Sequence, residues 1–104
     1  MEQAKRQRLQ ARGWKVGTVQ DFLDLSDEEA LLIDIKARLA VALSQLRQKR
    51  KLTQIDLARL LRSSQSRVAK MEAGDRSVSL DLLIRALLTL GSTRQELAKV
   101  IGRK

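Results

Sequence analysis

The sequence predicts an all-α fold with five principal helices in one compact domain. Its 104 residues include no proline, and apolar residues recur at spacings of three and four, which is the period of an amphipathic helix. Several Ser and Thr residues are followed three positions later by an acidic residue or Gln, a pattern typical of helix starts. A strand-rich fold has little support in this pattern, and the length suits a single domain with a modest core.

The first long helix is predicted from Ser26 to about Lys51. Ser26 and Glu29 have the spacing of a capping box, and the acidic residues that follow Ser26 complement the positive end of the helix dipole. A helix of roughly 25 residues would be about 37 Å long. Its apolar positions follow at helical spacing and are Leu32, Ile35, Leu39, Leu43 and Leu46.

Residues 1–25 are predicted to form a separate part, ahead of a domain covering 26–104. Residues 1–12 suit a basic arm along DNA phosphates or a plain tail, and Thr18–Leu25 suits a short helix. We expect four larger apolar residues of this part to form a small hydrophobic anchor against the long helix, and a protein-binding patch is the alternative. These residues are Trp14, Val16, Phe22 and Leu25.

Residues 52–74 predict two short helices separated by a polar break. Thr53 is a good N-cap for the first helix, and Ser63 or Ser64 for the second. The expected inward residues are Leu57, Ala58 and Leu61 in the first helix and Val68 and Met71 in the second. The second helix then directs four polar residues outward, namely Gln65, Ser66, Arg67 and Lys70. This is the layout of a helix-turn-helix.

Two further helices are predicted after Gly74, which suits the end of a helix. Ser79 can cap a helix over Leu80–Leu90, and a last helix begins at Ser92 or Thr93. The residues expected in the core are Leu80, Leu83, Ile84, Leu87 and Leu90. The remaining apolar residues are candidates for a homodimer interface, with ordinary surface leucine as the alternative. These candidates are Leu82, Leu88, Leu97 and Ile101.

The motif resembles the lambda-repressor/Cro type of helix-turn-helix, widely called the Xre family. The resemblance is carried by Leu52, Thr53, Gln54, Leu57, Ala58, Leu61, Gln65, Ser66, Val68, Glu72 and Gly74. It implies a five-helix lambda-repressor-like DNA-binding domain, here with an N-terminal extension that lengthens the first helix. Arg62 departs from the family, which usually has glycine at the turn. Arginine must either adopt a left-handed backbone, which costs roughly 1 kcal/mol, or shift the turn.

The outward residues of the second motif helix suit base reading in the major groove. The Gln65 amide presents a donor and an acceptor side by side, which matches adenine N6 and N7, whereas Arg67 or Lys70 can meet guanine O6 and N7. We therefore expect double-stranded DNA as the partner, bound by a dimer at an inverted repeat, and the protein to be a repressor.

Other residues are predicted to contact phosphates or to support those contacts. Ser64 and Ser66 lie at the amino end of the reading helix, where backbone amides favour an anion. The resemblance implies that Gln54 contacts phosphate and braces Gln65. Arg76 and Ser77, in the loop after Gly74, are further candidates.

The resemblance also implies one structural ion pair. In this family an arginine late in the first helix commonly pairs with the glutamate near the end of the reading helix. The matching residues here are Arg47 and Glu72. We expect a partly buried pair, because removing one partner of such a pair leaves an uncompensated charge.

Composition agrees with a nucleic-acid partner and argues against catalysis. The formal net charge is +9, and the chain has no histidine, cysteine or tyrosine. The usual general bases and thiol nucleophiles are therefore missing, and we predict no enzyme, no metal site and no cofactor. No apolar run is long enough for a membrane span, and no secretory signal is evident, so a cytoplasmic location is expected.

An acidic segment suggests an alternative function. Residues 18–35 contain six acidic and no basic side chains. Small Xre-type proteins are often antitoxins of type II toxin–antitoxin pairs, resembling HigA, and these bind a small basic toxin of the RelE/HigB type. Such a toxin would suit the acidic segment, and the DNA-binding core would be the same in both cases.

Overall fold

The computed structural model describes residues 26–102, and in this range the chain forms five helices and no strand. In chain order these are α1 (Asp27–Lys49), α2 (Gln54–Leu60), α3 (Gln65–Glu72), α4 (Leu80–Thr89) and α5 (Arg94–Gly102). The predicted all-α fold is confirmed, whereas the short helix predicted over Thr18–Leu25 and the anchor with Trp14 lie outside the described residues. None of the described helices is long and apolar enough to cross a membrane.

Capping pairs define where the helices begin. Thr53 caps α2 in a reciprocal box with Asp56: the Asp56 amide donates to Thr53 Oγ1 at 3.0 Å, and the Thr53 amide donates to Asp56 Oδ2 at 2.9 Å. Ser26 with Glu29 starts α1 in the same way. Each box satisfies backbone amides that have no partner inside the helix.

The structure selects among the capping alternatives for α3 and α5. Ser64, and not Ser63, is the N-cap of α3, and its hydroxyl accepts from the Arg67 amide at 3.2 Å. Thr93 with Glu96 starts α5, the Thr93 amide donating to Glu96 Oε1 at 3.0 Å. In both places the more C-terminal of two adjacent hydroxyl residues caps the helix.

The core combines residues from α1 to α4 and the loop before α4. Its largest fully buried side chains are Leu39, Leu43, Leu57, Val68, Met71, Leu83 and Leu87. Burying a leucine or valine side chain stabilises the fold by about 1.5–3 kcal/mol. Leu61, the C-cap of α2, is half-buried and packs against these residues, whereas Leu32 remains 45% exposed.

Each of the first four described helices ends with a residue in the left-handed conformation. The residue that follows it donates its amide to a carbonyl five positions back, at 2.8 to 3.1 Å. Two of these residues are Gly74 and Gly91, with φ of 71° and 95°, and two are Lys51 and Arg62, with φ of 60° and 53°. Arg62 therefore adopts the left-handed backbone and the turn keeps its length.

Leu82 corrects the predicted faces of α4. The sequence placed it on a side away from the core, but the structure packs it partly buried against the core cluster. It lies one helical turn before Ala86, which is fully buried, so the two share a face. Leu97 is also partly buried against the core, whereas Leu88 is 51% exposed and Ile101 is 38% exposed.

Candidate nucleic-acid interface

The predicted reading residues share the exposed side of α3. Val68 and Met71 are fully buried and hold the inner side of this helix against the core. Gln65, Arg67 and Lys70 are exposed, as is Ser66. Because the inward residues fix the rotation of the helix, its hydrogen-bonding side chains face solvent at the amino end.

Ser64 acts primarily on the helix itself. Its hydroxyl oxygen accepts from the Arg67 amide and lies 3.3 Å from Ser66 Oγ. The backbone amides of the first turn point out of the helix end and are suited to an anion such as a DNA phosphate. The side chain of Ser64 thus helps to define the helix end that presents these amides.

A partly buried ion pair anchors the opposite end of α3. Arg47 Nε donates to Glu72 Oε2 at 2.6 Å and Arg47 Nη2 donates to Glu72 Oε1 at 3.1 Å, a bidentate arrangement. The two side chains are only 13% and 7% exposed. Arg47 Nη1 also donates to the Leu52 carbonyl at 2.7 Å. The pair expected from the family resemblance therefore connects α1, α3 and the residue before α2's cap.

Gln54 joins this network, which sequence reasoning missed. Its Nε2 donates to Glu72 Oε1 at 3.2 Å, and the side chain is half-buried. A carboxylate only accepts hydrogen bonds, so the amide nitrogen must face Glu72. The second N–H and the carbonyl oxygen of Gln54 are left to meet a phosphate or another side chain. The ion pair consequently orients a residue predicted to contact DNA.

The loop after α3 is ordered by Asp75. The amide and hydroxyl of Ser77 both donate to Asp75 Oδ1, at 2.8 and 2.6 Å. These two hydrogen bonds lower the pKa of Asp75, and the charges of Lys70 and Lys36 lower it further. Ser77 would have to break its bond to Asp75 in order to donate to a phosphate. Arg76 beside it is exposed.

Lys36 is a second residue that sequence reasoning missed. Its Nζ donates to the Arg76 carbonyl at 3.2 Å, across 40 positions of sequence. Lys36 precedes Arg47 by eleven residues, which is three helical turns, so both lie on the same side of α1. This spacing is the sequence feature that could have identified Lys36 as a residue facing the motif. Helix α1 thus supports both α3 and the loop that follows it.

A cleft of about 260 Å³ brings together four of the eight predicted DNA-contacting residues. It is lined by Ser66, Arg67, Lys70, Ser77, Val78 and Leu82. The cations Arg67 and Lys70 line the cleft together with the apolar residues Val78 and Leu82. This combination suits a sugar–phosphate strand or a base edge. Leu82, predicted as a dimer contact, lies in this cleft. Among residues 26–102, no group of three or more acidic side chains is placed to bind a metal ion.

A protein-family model matches the part of the chain that contains this site. The family model described as Helix-turn-helix, of the Cro/C1 type, matches residues 43–97. The match covers just over half of the chain and runs from the second half of α1 into α5. It includes both partners of the buried ion pair and every predicted DNA-contacting residue. Searches of curated proteins and of solved structures found no significant match.

Proposed function

Because the chain belongs to the Cro/C1-type helix-turn-helix family, whose domains bind DNA and regulate transcription, we propose that it is a sequence-specific repressor that reads DNA through α3. The observation that carries this proposal is the exposed set Gln65, Arg67 and Lys70 on a helix whose other side is fully buried. A reading helix must present its side chains in a fixed orientation, and the core contacts of Val68 and Met71 supply it.

Base recognition is divided among these residues. The Nε2 of Gln65 can donate to adenine N7 while its Oε1 accepts from adenine N6, and Arg67 or Lys70 can donate to guanine O6 and N7. Each good bidentate contact discriminates by about 1–3 kcal/mol against the wrong base. We therefore assign sequence choice to the amino-terminal half of α3.

Phosphate contacts would supply affinity that does not depend on sequence. Arg76 is exposed and lies next to the cleft residue Ser77. Gln54 Nε2 bonds to Glu72 through one N–H, and its second N–H would donate to a phosphate. The backbone amides of Gln65 and Ser66 at the start of α3 would add further donors. The net charge of +9 strengthens this attraction. Because each neutralised phosphate releases counterions, affinity should fall steeply as salt rises.

We assign dimerisation to the exposed apolar residues of α4 and α5. Leu88 is 51% exposed and Ile101 is 38% exposed, so both are available to a second copy. A two-fold dimer would place two α3 helices on the half-sites of an inverted repeat. Leu88→Glu should yield monomers in sedimentation and bind a half-site better than the repeat, while Leu60→Glu, at a residue 54% exposed on α2, should remain dimeric.

The antitoxin alternative depends on an accessible acidic surface between residues 18 and 35. In the described part, Asp34 pairs with Arg38 at 2.8 Å and Glu29 caps α1 together with Ser26. These two carboxylates already bond within α1, so a toxin would have to share or replace these contacts. Co-expression with the neighbouring gene product, followed by purification at high salt, tests the alternative, because a stable complex with a small basic protein would support an antitoxin.

Selection of genomic fragments tests the repressor proposal directly. Purified wild-type protein and Gln65→Ala are each mixed with sheared DNA of the source organism at near-physiological salt, and retained fragments are sequenced. Gln95→Ala is the matched control, because Gln95 is an exposed glutamine on α5. Wild type and Gln95→Ala should recover one inverted repeat that Gln65→Ala does not. Recovery of DNA without a shared motif by all three would contradict sequence reading by α3.

A further inference from the structure

A groove lies between α1 and α5, outside the site described above. It consists of two adjoining hollows of about 380 and 240 Å³. Both hollows are lined by Ala42, Gln45 and Val100, so they form one continuous depression. Its location on two packed helices is the kind of surface on which a third helix can lie.

The floor of the groove is apolar. Leu46, Leu97 and Val100 are half-buried and pack against the core cluster from outside. Val41, at the margin, is 53% exposed. A partner that covered these side chains would remove apolar surface from water, which is the main source of favourable free energy in helix-in-groove recognition.

The rim of the groove is predominantly basic. Lys49 and Lys99 line the larger hollow and Arg38 lines the smaller one. The opposing charges are Glu96, which accepts from the Thr93 amide at the start of α5, and Asp34, which pairs with Arg38. A partner with carboxylates beside its apolar stripe would complement this rim, whereas a basic partner would be repelled.

The groove is on the side of α1 away from the DNA-reading elements. Lys36 and Arg47 point toward the motif, where they bond to the Arg76 carbonyl and to Glu72. Arg38 and Lys49 each follow one of these residues by two positions, and two positions turn a helix by about 200°. A molecule in the groove would therefore leave α3 free to meet DNA.

From these observations we propose that the groove binds an amphipathic, acidic helix of another protein and can do so while DNA is bound. A second copy of this chain fits less well, because a two-fold contact here would bring two basic rims together. The groove thus supplies a recruitment surface that is separate from the proposed DNA contacts of α3 and from the dimer residue Leu88. Leu97, predicted from the sequence as a dimer contact, lies in its floor.

Designed peptides of about 18 residues test this inference in the full-length protein. One peptide carries a leucine stripe flanked by glutamates; a second has lysines in place of the glutamates; a third has the composition of the first in an order that breaks the stripe. Binding is followed by fluorescence anisotropy with labelled peptide, with and without saturating operator DNA. The acidic amphipathic peptide should bind, and its Kd should change less than about twofold with DNA present.

Two variants locate the binding. Val41→Glu should weaken the acidic peptide at least about tenfold, whereas Ile55→Glu, at a residue 48% exposed on α2, should leave its affinity unchanged. Lys49→Glu combined with Lys99→Glu should shift preference toward the lysine peptide. Circular dichroism of each variant must match wild type, and a variant that does not fold is replaced by Val41→Ser.

The remaining outcomes overturn the proposal. The proposal is wrong if the acidic amphipathic peptide does not bind. It is also wrong if the third peptide, whose order breaks the leucine stripe, binds equally well, because net charge alone would then explain the binding. Equal weakening by Val41→Glu and Ile55→Glu would place the peptide elsewhere. Sedimentation that shows Val41→Glu to be monomeric when wild type is dimeric would make the groove a contact between copies. The proposed DNA reading by α3 stands or falls separately, on Gln65→Ala.

Discussion

The two ends of α3 differ in what surrounds them, although the helix is only eight residues long. At its amino end Gln65, Ser66 and Arg67 are exposed. At its carboxyl end Met71 is fully buried, and Glu72 is held by Arg47 and Gln54. The comparison indicates that one end anchors the helix and leaves the other end free for the DNA reading proposed above, so substitutions at the two ends should have separable effects.

The largest expected effect is at the anchored end. Glu72→Ala leaves Arg47 buried without its partner and should lower the free energy of unfolding by about 3–5 kcal/mol. Urea denaturation measures this loss. Asp81→Ala is the matched control, because it removes an ion pair to Arg85 at 3.6 Å whose side chains are 84% and 72% exposed. Exposed pairs contribute about 0–1 kcal/mol. Equal losses of stability for Glu72→Ala and Asp81→Ala would contradict the anchoring role of Glu72.

At the reading end, Gln65→Ala should change binding and not stability. We expect the affinity for the recovered operator to fall roughly 5- to 150-fold, which corresponds to about 1–3 kcal/mol for one bidentate base contact. Titration of labelled operator measures the affinity, and a thermal melt measures the stability. If the melting temperature fell together with the affinity, the division between the two ends of α3 would be wrong.

Ser64 qualifies the comparison, because it lies at the reading end but caps the helix. Ser64→Ala removes the acceptor for the Arg67 amide and should destabilise the fold by about 1 kcal/mol. Ser63→Ala is the matched control: Ser63 is the adjacent serine and does not cap α3. The difference between the two denaturation midpoints isolates the cap. Two equal midpoints would contradict its contribution.

Much of the anchored end could be predicted from local pattern. The spacing of Val68 and Met71 identified the inner side of α3, and the Ser and Thr residues before each helix identified its start. The partners Arg47 and Glu72 came from the family resemblance, since nothing local connects residues 25 positions apart. The structure supplies their distance and burial, which determine the size of the effect.

Other features had no clear local signal. The bonds of Gln54 to Glu72 and of Lys36 to the Arg76 carbonyl depend on how helices pack, and a long polar side chain can choose among several partners. Leu82 was misplaced because α4 is apolar on more than one side, so its pattern does not define one inward stripe. Lys51 was not expected to be left-handed because lysine is a good helix former.

Lys51 and Arg62 lead to a smaller stabilising prediction. Both end a helix in the conformation that Gly74 and Gly91 adopt without a Cβ penalty. Arg62→Gly should therefore raise the free energy of unfolding by about 1 kcal/mol, with a rise in Tm of about 4–8 °C for a domain of this size. Arg59→Gly, in the last turn of α2, should lower it, since glycine is less favourable than arginine in right-handed helical backbone. A lower Tm for Arg62→Gly would mean that the arginine side chain makes a contact that outweighs the strain of the turn.

The smallest expected effect is the loss of thermal stability at acidic pH. Hydrogen bonds from Thr53 lower the pKa of Asp56, and those from Thr93 lower the pKa of Glu96. A carboxyl group whose pKa is lower in the folded state stabilises the fold above its unfolded pKa, and this contribution disappears as pH falls through the folded value. Thermal melts from pH 6 down to pH 3, that is, across the usual carboxyl range, should show a steeper loss of Tm for wild type than for Asp56→Asn. Because Asp56 is at the solvent-exposed start of α2, this difference in Tm should be small compared with the effect of Glu72→Ala. Parallel curves of Tm against pH for wild type and Asp56→Asn would show that the capping carboxylate contributes no pH-dependent stability.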